Sequence, residues 1–235
     1  MFSRAVVCPS PPLLAAGLTG RAAVVPDLSR ACAAAVARLL DGGPETVAVV
    51  AGGPATRTWD PGSRLDRAAY GPGLPRGTVG LPLGLGIGAM LLDEAGYTGT
   101  RLLQAVASGA EPEECLALGA ALADRADRTG LLVVGDGTAR RTPKAPGHFD
   151  QRAAGFDAAA ERALRSGDLA SLAGLDPRLA AELMATGRAA WQVLAGAMSP
   201  RPASPGRPPG PPARGEVLYA AAPFGVGYLV AVLDP

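Results

Sequence analysis

Apolar runs and polar breaks alternate along this chain at spacings that predict strands and helices in turn. Ala5 to Cys8 is a short apolar run stopped by Cys8-Pro9-Ser10-Pro11-Pro12, and reads as a first strand entering a loop. Leu28 to Leu40 carries apolar residues at helical spacing, with Asp27 as N-cap after Pro26 and Gly42-Gly43 as the stop. Thr46 to Ala51 is a buried strand cut off by Gly52-Gly53-Pro54. Strand, loop, helix, strand opens an α/β layer architecture.

Thr56 to Gly80 is polar, rich in Gly and Pro, and without period, so an irregular excursion is expected there. Its Trp59, Asp60 and Tyr70 are available to a site beneath it. Leu81 to Leu92 offers Gly84, Gly86 and Gly88, but Pro82 stands where a dinucleotide-binding motif needs a strand, and the spacing is Gly-x-Gly-x-Gly. A close-packed turn into a helix over Ile87 to Ala95 is the expectation. Thr100 to Ala107 and Glu113 to Ala126 are amphipathic helix candidates, the second with acids at its start and Arg125 and Arg128 near its end, as the helix dipole favours. Leu131 to Val134 is a strand closed by Gly135-Asp136-Gly137. Helices are expected over Phe156 to Arg165, Asp168 to Leu172 and Pro177 to Ala197. Residues 199–214 are Pro-rich and read as a flexible loop before closing strands at Glu216 to Tyr219 and Val226 to Leu233.

At 235 residues the chain suits a single domain over 1–235 with a sizeable core. Acids and bases are interspersed around a net charge of +1, with no basic stripe among aromatics, so no nucleic-acid partner is expected. The three cysteines, Cys8, Cys32 and Cys115, fit neither a disulfide framework nor a zinc pattern, which favours a reducing, cytoplasmic setting. Prolines 9, 11 and 12 interrupt the apolar N-terminus, and no stretch approaches the ~20 apolar residues of a membrane span, so no membrane partner is expected.

Candidate chemistry concentrates between Leu131 and Asp157, where Asp136, Thr138, Arg140, Arg141, Lys144, His148 and Asp150 follow the end of a strand. Ligands in open α/β folds bind at such strand ends. One reading has Asp136 and Arg140 lining a pocket, with Arg140, Arg141 and Lys144 attracting an anion. The other has Asp136 capping local amides and Arg140 pairing with it. Ser10, Thr138 and Tyr228 are further ligand-binding candidates, Glu216 and Tyr219 can face the same cleft, and Cys8 is either a reactive thiol or a buried inert one.

Three segments carry a resemblance to a known family: CPSPPLL from Cys8, VVGDGTARRTPKAPGHFDQRAAGFDAAAERALRSGDLASLAGLDP from Val133, and PFGVGYLVA from Pro223. Together they resemble the class III extradiol ring-cleavage dioxygenase superfamily, which includes the Memo-like proteins, nearly end to end. The resemblance implies one three-layer α/β/α domain with a central mixed sheet. In active relatives it also implies an Fe(II) held by two histidines and a carboxylate, with another histidine as acid/base. At the corresponding positions this chain has Ser10, Ala55 after Pro54, Ala139 in Asp136-Gly137-Thr138-Ala139-Arg140, and Ala220-Ala221-Ala222. His148, the one histidine of the chain, cannot supply a two-histidine site. The expectation is therefore a degenerate member without cofactor, acting as a binding or scaffold protein for an unknown small molecule or protein, and possible as a homo-oligomer. Two alternatives stay open: a metal-free enzyme working through Asp136, Arg140, Lys144 and His148 in the Asp136–Asp150 loop, and an active extradiol-type oxidoreductase with a non-standard site.

Overall fold

The computed structural model describes residues 2–15, 25–65, 80–124, 128–199 and 212–235. Its strands are β1 (Arg4–Cys8), β2 (Thr46–Gly53), β3 (Arg57–Trp59), β4 (Thr100–Ala107), β5 (Thr129–Val134), β6 (Arg214–Ala221) and β7 (Tyr228–Asp234). They form one sheet in the order β3-β4-β2-β5-β1-β7-β6. The middle four, β4, β2, β5 and β1, run parallel; β3, β7 and β6 pair antiparallel to their neighbours. Parallel strands covered on both faces read as unbroken apolar runs rather than alternating ones. All six residues of β5 are buried accordingly.

Helices α1 (Pro26–Leu40) and α2 (Leu83–Glu94) cover one face, where Leu28, Val36, Leu39, Leu85 and Leu92 meet Val6, Val49, Leu132 and Val230. On the other face α3 (Pro112–Asp124), α4 (Ala153–Ser166), α5 (Leu169–Ala173) and α7 (Arg188–Met198) pack Trp191, Leu164, Leu172 and Leu194 onto Val7, Val50, Val133 and Ala231. The short α6 (Pro177–Glu182) leads into α7. The architecture is one α/β/α domain around a mixed sheet. Among the described residues no helix is long and apolar enough to cross a membrane.

Several local expectations are corrected. Thr100–Ala107 is a strand, not a helix: wedged between β2 and β3, its apolar residues face both layers, and eight residues are too few for helical period to outweigh pairing. The three glycines at 84, 86 and 88 lie inside α2 instead of forming a turn before it. A Cβ at Gly88 would sit 2.5 Å from Val49 Cγ1, and one at Gly84 2.7 Å from Ala51 Cβ, so their absence lets α2 lie directly on the sheet. Pro177 to Ala197 is two helices, broken over residues 183–187, where Met184 takes a left-handed φ of 57°. Asp27 sits in the first turn of α1 behind Val25 as N-cap. The caps that do form are Asp168 and Asp176, which accept from the amides of Ser171 and Leu179. Within the polar 56–80 segment the structure adds β3, while Tyr70 lies outside the described residues, as do Arg125 and residues 200–211 of the Pro-rich loop.

Candidate functional site

The four parallel strands end at the same edge of the sheet, so their exit loops gather there. Cys8 leads to Ser10, Ala107 to Ser108, and Val134 to Gly135-Asp136, while β2 contributes Gly52. The first turn of α2 closes one side with Leu83 and Gly84, and Thr186, in the break between α6 and α7, closes the other. Together they line a cavity of about 190 Å³. The break can approach only because two glycines face each other: a Cβ on Gly135 would fall 2.4 Å from Gly187 Cα. Gly187 N–H then donates to Asp136 O at 2.8 Å, and Asp136 N–H to Thr186 Oγ1 at 3.3 Å.

Asp136 is the one ionisable residue in this lining. Its Oδ1 accepts the Ser10 amide at 2.6 Å, a bond that ties the β1 exit to the β5 exit. Burial pushes the Asp136 carboxyl up to about 6, outweighing the opposite pull of the Ser10 amide and hydroxyl. The nearby buried Tyr228 phenol is driven well upward, first by desolvation and then by the Asp136 charge. Among the described residues no Arg, Lys or His forms an ion pair with Asp136.

The other sequence candidates are engaged elsewhere. Arg140 turns away from Asp136: its Nε donates to Gly147 O at 2.6 Å and its Nη1 to Glu182 O at 3.1 Å, with Asp150 3.8 Å away. Thr138 gives its amide and hydroxyl to Asp157, at 2.8 and 2.9 Å. Arg141 joins the same carboxylate at 2.9 Å. Asp157, buried on α4, is thus the hub that fixes the loop beyond β5. Asp150 is held down to about 2, chiefly by Arg152. Lys144 and His148 are exposed, and His148 holds a left-handed φ of 59°. Tyr228 packs into the core on the α1 side, beside Asp136 but outside the cavity lining. Glu216 is exposed and pairs with Arg38, and Cys8 is fully buried with its thiol pushed up by a bond to Cys32 and by desolvation. Of the sequence candidates, Ser10 and Asp136 meet at the cavity; Thr138, Arg140, Lys144 and His148 do not line it.

The structure also brings in residues that no local pattern marks. Ser108 and Thr186 line the cavity from the β4 exit and the α6–α7 break. Arg188 stands behind Ser108, only 2% exposed, and donates to Ser108 O at 2.6 Å and Gln192 Oε1 at 2.9 Å. Asp157 lies in the long middle segment on which the family resemblance rests, just beyond the polar loop.

The donors that converge here do not fit the ferrous ion implied by that resemblance. They are one carboxylate and the hydroxyls of Ser10, Ser108 and Thr186, with no imidazole, whereas Fe(II) oxygenase sites use two histidines and a carboxylate. Ala55 is exposed, Ala139 is buried, and Ala220 and Ala221 are exposed, and none of them brings a donor side chain. Among the described residues no group of three His, Cys, Asp or Glu side chains is close enough to hold a metal ion.

No protein-family model matches the chain, and no curated protein does. Among solved structures it is similar to an uncharacterized protein, JW3007, from Escherichia coli K12. The two superpose with a TM-score of 0.56 at 11% identity, covering 99% of this chain and 100% of that one. At that identity the likeness shows a shared fold and nothing of chemistry.

Proposed function

We propose that this chain is a degenerate class III extradiol dioxygenase-like protein that binds a small molecule at the carboxyl ends of its parallel strands, without iron and without ring-cleaving catalysis. The observation that carries this reading is the meeting of Ser10 and Asp136, from loops 126 residues apart, in a cavity that has one carboxylate and no imidazole. Both residues lie in segments that carry the family resemblance, which supports a site at this sheet edge with a different set of donors. The three cysteines are free and buried, which supports a cytoplasmic setting.

The test is metal content after anaerobic loading with Fe(II) and desalting. The reading expects far less than one iron per chain and no cleavage of catechol. Stoichiometric iron retained through desalting would overturn it in favour of an active dioxygenase with a non-standard site. A second reading, a metal-free enzyme, rests on one observation: a carboxyl titrating near 6 is suited to general acid/base work. It needs Asp136 alone, since Arg140, Lys144 and His148 lie outside the lining.

A further inference from the structure

The polar wall of the cavity is rich in acceptors and poor in donors. Asp136 brings a carboxylate. The Ser10 hydroxyl is turned to that carboxylate, and Ser108 Oγ donates to Gly53 O at 3.3 Å, so both hydroxyls have committed their protons and keep lone pairs. Thr186 Oγ1 already accepts from the Asp136 amide. Arg188, two residues beyond Thr186, gives its two terminal nitrogens to Ser108 O, Ala110 O and Gln192 Oε1, outside the lining, and its buried Nε has no partner among the described residues. The carboxylate therefore faces the cavity without a counter-cation among the described residues. Charges partly withdrawn from water are ordinarily paired.

We propose that the cavity takes a small organic ammonium ion, a primary amine of about single-ring size, whose N–H groups donate to Asp136 and to the hydroxyl oxygens of Ser10 and Ser108. An ammonium carries three donors and no acceptor, which complements this wall. A cavity of about 190 Å³ exceeds the ~150 Å³ that accommodates benzene, so a ring with a one-carbon amine arm fits. The competing occupant is an anion on the first turn of α2, where Leu83 and Gly84 border the cavity. A helix end carries roughly half an elementary charge, against the full charge of the carboxylate, so the cation wins. This assignment rests on the binding reading above and adds the ligand's charge. The titratable group that senses the Asp136 charge is Tyr228 of β7, which stays neutral in the range where Asp136 titrates. Ammonium binding should accordingly weaken as pH falls below 6.

The experiment titrates benzylamine, benzyl alcohol and benzoate into the wild-type protein and Asp136→Asn, following the backbone amide resonances of Ser10, Asp136 and Gly187. Asparagine keeps an oxygen for the Ser10 amide, and circular dichroism checks that the variant is folded. Benzylamine is expected to shift these resonances at least tenfold more tightly than benzyl alcohol, to lose at least tenfold in the variant, and to weaken about tenfold between pH 7 and pH 5. Benzoate is expected to leave them in place. Benzyl alcohol or benzoate binding as tightly as benzylamine would overturn the ammonium assignment and leave the cavity as a binding site. If none of the three moves these resonances, the assignment and the binding reading both fall.

Discussion

Asp136 gives the structure its sharpest consequence for stability. Its carboxyl is raised from 3.8 to about 6, chiefly by desolvation, and no cation among the described residues pairs with it. The folded state therefore holds this proton more tightly than the unfolded state does. At low pH both states are protonated and nothing is lost. As pH rises through 3.8 the unfolded chain ionises first, and stability falls until the folded group also ionises near 6. A shift of about two units corresponds to roughly 3 kcal/mol, of which about 2 kcal/mol falls between pH 4.5 and 8. Asp136→Asn preserves the shape and the bond from the Ser10 amide but carries no titrating proton. Urea denaturation of both proteins at several pH values, followed by circular dichroism, gives the difference directly. Relative to wild type, the variant should gain about 2 kcal/mol from pH 4.5 to pH 8, or several degrees in melting temperature for a domain of this size. The difference cancels carboxylates shifted the other way, such as Asp150 and Asp168. A variant-minus-wild-type difference that stays flat within about 0.5 kcal/mol would refute the picture of an uncompensated, desolvated carboxylate.

Other substitutions test the scaffold around it. Asp157→Ala strands Arg141 and leaves the Thr138 amide without its acceptor; urea titration should show a loss of about 3–5 kcal/mol. Gly135→Ala sets a Cβ against Gly187 Cα, where both sides are backbone, and should cost about 1–3 kcal/mol by the same assay. Arg188→Met removes the donors to Ser108 O and Ala110 O and should destabilise by about 3 kcal/mol, with the Ser108 amide resonance displaced. His148→Gly relieves a left-handed backbone at an exposed position, and the melting temperature should hold or rise slightly. A loss above ~1 kcal/mol there would mean that the imidazole is engaged in the fold.

What the sequence discloses here is what local pattern controls. Thr46–Ala51 and Leu131–Val134 are short apolar runs bounded by glycine, and both are strands of the parallel core. The helix of residues 28–40 keeps one apolar stripe for the sheet and is recovered with only its cap misplaced. Thr100–Ala107 fails because eight residues fit either period, and its state is decided by β2 and β3, which lie more than 40 residues before it. The glycines of α2 fail for a related reason. Glycine lowers helix propensity, but burial of Gly84 and Gly88 against β2 and β5 repays that loss through close packing.

The site divides along the same line. Asp136 is legible because Gly-Asp-Gly at the end of an apolar run is local information. Its acceptor-rich surroundings are not, because Ser10, Ser108 and Thr186 come from two other strand ends and a helix break, brought together only by strand order. The basic residues that follow Asp136 mislead for the complementary reason. Arg140 and Arg141 suggest an anion site when read in series, yet each guanidinium is consumed close by, by Gly147 and Glu182 in one case and Asp157 in the other. Charge counted along the chain therefore does not describe the cavity, whose lining holds none of these basic residues. What counts is which groups line the cavity after folding, and among the described residues the ionisable one there is the Asp136 carboxylate.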